Sequence, residues 1–124
     1  MKIEKLHPYF NQQDARGSFS GIINSGEWKE INHVFTNAGS TRGGHYHKDM
    51  TELVFILSGV VEVEFLDFRH ESKITKFTLK ENEGVLISPY VLHTMHYLTD
   101  CYQLSMLDTV FDPNNPDLHT LEER

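Results

Sequence analysis

The sequence predicts an all-β fold, a small antiparallel barrel or sandwich, and three observations carry that expectation. Short runs rich in Val, Ile, Phe, Tyr and Thr recur along the chain, separated by Gly, Asn, Asp and Pro. No window of a dozen residues sets apolar side chains at the three- and four-residue spacing of an amphipathic helix. Val61-Glu62-Val63-Glu64-Phe65 alternates strictly, giving one apolar face and one face of carboxylates, as a half-buried strand does.

Taken in order, strands are expected at Gly17–Ile23, Glu30–Thr36, Gly43–His47, Glu52–Leu57, Val60–Asp67, Lys73–Leu79, Gly84–Ser88, His93–Leu98 and Cys101–Thr109. Ser58-Gly59, between two apolar runs, reads as a hairpin turn, and Asn82-Glu83-Gly84 as another. From Phe111 onward the chain cannot continue a central strand, because Pro113 and Pro116 donate no ladder hydrogen bond. Leu121–Arg124 is expected to fray. Nine short strands without a helix point to one closed or sandwiched sheet domain spanning residues 1–124.

At 124 residues there is room for one ordinary core, and 39% hydrophobic against 23% charged residues suffices to build it. The net charge of −7 argues against nucleic acid or an anionic membrane as partner. It leaves open a phosphorylated small ligand, which a few local arginines can bind. Cys101 is the sole cysteine, so no intrachain disulfide forms and no oxidising compartment is implied. Met1-Lys2-Ile3-Glu4-Lys5-Leu6-His7-Pro8 lacks the apolar run of a secretory signal, and no stretch reaches the ~20 apolar residues of a membrane span. The expected location is the cytoplasm.

Chemistry gathers at His45-Tyr46-His47. Residues two apart on a strand point to one face, so both imidazoles project together. Glu52 opens the next apolar run, close enough for its carboxylate to reach the same point. His93, after Pro89 and Tyr90, opens a later strand and completes the set. Three imidazoles and a carboxylate suit a borderline divalent metal such as zinc, iron, nickel or manganese. His7, His33, His70 and His119 read as ordinary polar histidines. Tyr46 alternates away from the histidine face and His96 falls on the other face from His93, so neither is expected in the site.

Gly39-x5-His45-x-His47-x4-Glu52-x6-Gly59 resembles the first motif of the cupins at every fixed position, and Gly84, Pro89 and His93 resemble part of the second. The resemblance implies a jelly-roll barrel. It narrows to the sugar-nucleotide cupins. Asp14-Ala15-Arg16-Gly17-Ser18-Phe19 and Arg42-Gly43-Gly44-His45-Tyr46 resemble segments of these enzymes and of the dTDP-4-dehydrorhamnose 3,5-epimerases. His93-Thr94-Met95-His96 resembles a segment of the sugar 3,4-ketoisomerases. Arg16-Gly17-Ser18-Phe19 and Phe111-Asp112-Pro113-Asn114-x-Pro116-Asp117 resemble the C-terminal cupin domain of bifunctional capsular-polysaccharide enzymes. That domain is a zinc-dependent epimerase whose reductase partner domain acts on a UDP-linked 4-keto sugar.

Two departures choose among these relatives. Ser105 stands where the rhamnose epimerases carry a tyrosine acid, and Glu52 stands where the metal-free ketoisomerases carry glutamine. The resemblance therefore implies a metal-dependent epimerase or isomerase of a nucleotide-linked 4-keto sugar in surface polysaccharide synthesis, fed by a separately encoded enzyme. His45, His47 and His93 are the expected catalytic residues, and the same three with Glu52 the expected ligands of zinc or a similar ion. Arg16 and Arg42 are expected on the substrate's diphosphate, with Lys48, Tyr97 and Tyr102 as further substrate contacts. Each has a plainer role available: ion pairing for Arg16, a solvated surface position for Lys48, packing for the tyrosines and for Trp28 and Phe35. Two alternatives stand beside this reading. One is a metal-free 3,4-ketoisomerase using His45 and His47 as acid and base; the other is a sugar-binding cupin without activity. A homodimer is expected, since barrels of this size often pair edge strands.

Overall fold

The computed structural model describes residues 3–70 and 73–121, and in it the chain forms eleven strands. They are β1 Ile3–Leu6, β2 Phe10–Asp14, β3 Gly17–Gly21, β4 Glu30–Thr36, β5 Thr41–His45, β6 Glu52–Ser58, β7 Val61–Leu66, β8 Thr75–Leu79, β9 Gly84–Ile87, β10 Leu92–Tyr97 and β11 Cys101–Leu107. One sheet runs β1-β9-β6-β11-β4, a second runs β5-β10-β7-β8, and β2-β3 stands as a separate hairpin. Every pairing is antiparallel.

The two larger sheets bury their facing sides. Val54, Ile56, Val85 and Ile87 of the first meet Val61, Val63, Phe65, Leu79, Met95 and Tyr97 of the second. The alternation in β7 is realised: Val61, Val63 and Phe65 are buried while Glu62 and Glu64 face outward. A smaller cluster lies on the outer side of the five-stranded sheet. There Leu53, Phe55 and Met106 are covered by Leu6, Ile22, Ile23, Trp28 and Leu86. Trp28 thus has its packing role, with its indole N–H donated to the Ser25 carbonyl at 2.8 Å.

Turn chemistry agrees with the sequence. Gly59, between β6 and β7, has φ 102°, and a Cβ there would stand 2.4 Å from the Asp100 carbonyl oxygen. The structure adds β1 and β2, which were not anticipated. β2 is Phe-Asn-Gln-Gln-Asp, exposed along its whole length, so it carries none of the alternation that marks a half-buried strand. β3 ends at Gly21, and Ile22 and Ile23 leave it to cover the outer cluster. β11 ends at Leu107, where the Asp108 carboxylate turns to accept the Thr51 N–H at 2.8 Å. The Pro-containing tail forms no strand, as expected, but it returns to the barrel at a bridge between Tyr46 and His119. Of the expected frayed end, Leu121 belongs to a short turn and residues 122–124 lie outside the described part.

Candidate functional site

Strand β5 ends at His45, which lies directly across from His93 on β10. Just beyond this pair the register slips between His93 and Thr94, so Gly44 has no partner and Thr94 faces Gly43. Gly43 has φ 97°, and a Cβ on it would come within 2.6 Å of the His93 carbonyl oxygen. The bulge needs glycine because the two backbones approach so closely there. His47 lies past the end of β5, contrary to the expected strand Gly43–His47. The loop, rather than strand alternation, brings it beside His45. Glu52 opens β6, flanked by Ile87 and Leu107 on the neighbouring strands.

Side chains from two separate stretches of the chain, residues 45–52 and His93, meet here. Ring centroids are 4.6 Å apart for His45–His93, and 5.2 Å for both His45–His47 and His47–His93. Ring nitrogens of the three lie within 4.8 Å of one another. Glu52 Oε1 is 3.0 Å from His47 Nε2 and 3.6 Å from His93 Nε2. Outer atoms orient two of the rings: His47 Nδ1 donates to the Asp117 carbonyl at 2.7 Å and His93 Nδ1 to the Val91 carbonyl at 3.1 Å. Each leaves Nε2 turned toward the carboxylate, the arrangement that fixes a metal-binding tautomer.

The electrostatics divide the histidines. Burial, reinforced by the fields of His93 and His47, pushes His45 down to about 4, so it is neutral at pH 7. Burial likewise lowers His93. Burial also opposes charge on His47, but its hydrogen bonds to Glu52 and Asp117 outweigh that and raise it. For Glu52, burial favours the acid, and the His47 hydrogen bond together with the neighbouring imidazoles overcomes it, holding the carboxyl below its ordinary value. Asp117 is likewise lowered, because backbone N–H groups of Lys48, Asp49 and Met50 outweigh its burial. A convergent set of imidazole nitrogens beside an ionised carboxylate fits a divalent cation of the zinc or iron type.

The remaining expected residues fall in different places. Arg42 lies across from Met95, on the inward side of edge strand β5. It donates Nε to Thr36 Oγ1 at 2.7 Å and Nη2 to the Phe35 carbonyl at 3.3 Å, bridging to β4, the edge of the other sheet. Tyr97 is buried inside the barrel, and its hydroxyl donates to Gln103, whose amide donates to Ser105 Oγ at 3.2 Å. Burial pushes the Tyr97 phenol up to about 12. Ser105, at the place of the missing tyrosine acid, is therefore part of a buried polar chain.

The structure does not bring Tyr102 to the histidines. It lies on the outer face of the five-stranded sheet, stacked on His33 at 5.7 Å and beside Phe35 at 4.7 Å. Arg16 sits at the turn of the separate β2-β3 hairpin, 90% exposed and paired with Asp14 at 2.7 Å. Lys48 is exposed, and its backbone N–H is held by Asp117. Tyr46 packs away from the site against Phe68, Tyr90 and His119. His96 faces outward and bonds Thr41 and Glu64; Glu62 joins them in a second cluster, where Lys76 already supplies a cation to Glu64 at 3.4 Å. Sequence reasoning missed Asp117 and His119. The first matched a motif, but nothing in its spacing revealed that its carbonyl meets His47.

Comparison with known proteins agrees with this architecture. The family model for the polysaccharide biosynthesis C-terminal domain matches residues 12–119. A 3,4-ketoisomerase from Helicobacter canadensis has the same fold, with a TM-score of 0.84 at 21% identity over 99% of this chain and 93% of that one. The capsular polysaccharide assembling protein CapF from Staphylococcus aureus superposes with a TM-score of 0.71 at 26% identity over 90% of this chain and 34% of that one. A UDP-2-acetamido-2,6-beta-L-arabino-hexul-4-ose reductase from Pseudomonas aeruginosa is 26% identical over 109 residues, which is 86% of this chain and 29% of the relative. This chain thus spans less than a third of that curated protein. The barrel is a cupin, the sequence resemblance is met, and the chain belongs to the polysaccharide biosynthesis C-terminal domain family.

Proposed function

We propose that this protein is an isomerase that epimerises or isomerises a nucleotide-linked 4-keto sugar in polysaccharide synthesis. In this reading His45, His47, His93 and Glu52 hold a divalent metal, with zinc the first candidate. One observation carries it: three imidazoles converge beside an ionised carboxylate inside the mouth of the barrel. The similar proteins, a ketoisomerase and proteins of capsular polysaccharide and UDP-sugar chemistry, support the substrate class.

A hydrogen beside a ketone becomes removable only where the resulting negative charge is stabilised. A divalent ion held by these residues supplies that stabilisation as a Lewis acid, worth several kcal/mol. The chain's own groups do the rest. Glu52 stays ionised under the field of the histidines, and the Asp117 and Val91 carbonyls hold His47 and His93 in register. Arg42 places a guanidinium at the seam between the sheets, where it can meet a diphosphate, and Arg16 offers a second, exposed one at the hairpin tip. Tyr97, Gln103 and Ser105 line the interior with hydroxyl and amide groups suited to sugar oxygens.

A second reading is favoured by a specific feature. His45 is neutral and His47 is held toward its protonated form by Glu52, with ring centroids 5.2 Å apart. A proton acceptor and a proton donor side by side are what a metal-free ketoisomerase needs. Incubation with a UDP- or dTDP-4-keto-6-deoxy sugar in deuterium oxide separates the possibilities. Deuterium entering the carbon beside the ketone, lost with chelator and restored by zinc, supports the metal reading. Exchange indifferent to chelator supports the second. Binding of both nucleotide sugars without exchange overturns both and leaves a sugar-binding module.

The proposal includes a homodimer. Ile31, Phe35, Leu57 and Tyr102 leave an apolar area exposed on the outer face of the five-stranded sheet, and Tyr9, Phe10 and Phe19 leave another on the hairpin.

A further inference from the structure

The loop between β5 and β6 carries His47 near its start and delivers Glu52 at its end, so its shape sets the separation of two members of the site. Carboxylates from the segment after β11 hold that shape. Asp117 Oδ1 accepts the Lys48 N–H at 2.7 Å, and Oδ2 accepts those of Asp49 at 2.7 Å and Met50 at 3.1 Å. Asp108 accepts the next one, from Thr51, at 2.8 Å. Four successive amides are thereby satisfied by two carboxylates, in the manner of a backbone nest around an anion. The Asp117 carbonyl accepts from His47 Nδ1 at 2.7 Å. Two residues on, His119 closes the attachment by exchanging both backbone hydrogen bonds with Tyr46, at 2.9 and 3.1 Å, and its Nε2 lies 3.0 Å from Asp117 Oδ1.

We infer that Asp117 is a positioning residue: its carboxylate clamps residues 48–50 while its carbonyl turns His47 so that Nε2 faces Glu52 and His93. The strap 108–119 is in this account a built part of the site. That the positioned ligand set serves a metal rests on the proposed function; that His47 is positioned does not. Deleting the carboxylate frees three amides at once and lets the loop relax, and the His47 bond to the Asp117 carbonyl is lost with the register of the strap.

The test uses the full chain with Asp117→Ala, Asp117→Asn and, as a control elsewhere in the strap, Asp112→Ala. In metal-free protein labelled with 15N-histidine, the hydrogen-bonded Nδ1 proton of His47 is read by NMR together with amide exchange at residues 48–50. Zinc affinity is read separately by competition with a chromophoric chelator. Asp117→Ala is expected to lose the ring proton signal, expose the three amides and weaken zinc about 10–100-fold. Asp117→Asn, which keeps one acceptor oxygen, falls between, and Asp112→Ala behaves as the parent. Should Asp117→Ala fail to fold, Asp117→Asn carries the comparison. Exposed amides with an unchanged His47 signal and unchanged zinc affinity overturn the inference. If the parent takes up no zinc, the metal reading falls, and the ring proton alone decides: its loss in Asp117→Ala, or its weakening in Asp117→Asn, upholds the positioning role, and a signal like the parent's in both removes it.

Discussion

His45 and His47 are separated by one residue, yet their environments push them in opposite directions. His45 sits near two other imidazoles and is driven down to about 4 by burial, while Glu52 and the Asp117 carbonyl raise His47. The consequences for stability have opposite signs. Between pH 6.5 and about 4 the unfolded chain binds a proton at residue 45 that the folded chain refuses. His45 therefore takes stability away as pH falls through that window. His47 does the reverse: its contribution is present below the ordinary histidine value and is lost as pH rises through its elevated folded value. In metal-free protein, His45→Gln is expected to flatten the fall in urea midpoint between pH 6.5 and 4, measured by fluorescence; an unchanged slope would contradict the assignment. Glu52 is the residue on which the metal reading of the site depends. Glu52→Gln keeps the shape but removes the charge, and it is expected to lower deuterium exchange into the substrate by about 100-fold or more. The four site residues were legible because their spacing is fixed by one strand, one short loop and one later strand. Asp117 was not, since a contact between a carbonyl and a ring 70 residues away leaves no periodic mark.

At the level of elements, the edge strand β5 is the part most sensitive to change. It is joined to β10 through a bulge, and Gly43 lies where the His93 carbonyl leaves no room for a side chain. Gly43→Ala combines a disfavoured positive φ with a backbone clash, and a loss of about 2 kcal/mol or more is expected in denaturant unfolding. Its effect on zinc affinity should be equally large, because His45 and His93 face each other across the distorted pair. β11 explains why Tyr102 was placed wrongly from sequence. In Cys-Tyr-Gln-Leu-Ser-Met the polar Gln103 and Ser105 point inward, while Tyr102, Leu104 and Met106 point outward. A strand usually hides its apolar side, but this one lines a polar site and has Met106 under the cover that includes Ile22, Ile23 and Trp28. Strand parity was readable; which parity faced the interior was not.

For the whole molecule, the all-β architecture followed from alternation and turns alone, and the strands that escaped notice were β1, which sends single apolar residues to opposite faces (Ile3 to the core, Leu6 to the outer cluster), and β2. β2 is the clearest case, because none of its residues is buried in the single chain. The exposed apolar outer face predicts a dimer, so sedimentation should give a mass near twice the 14.4 kDa chain, and Phe35→Glu should return the monomer. A monomer at micromolar concentration for the parent protein would remove that part of the account. The central claim is that His45, His47, His93 and Glu52 form a single metal centre inside the barrel. Anomalous diffraction across the zinc edge, on crystals of protein purified without chelator or nickel affinity, tests it most directly. One peak is expected, about 2.0–2.2 Å from nitrogens of the three histidines and an oxygen of Glu52. No peak there, or a peak only at the outer Glu62-Glu64-His96 cluster, would contradict it.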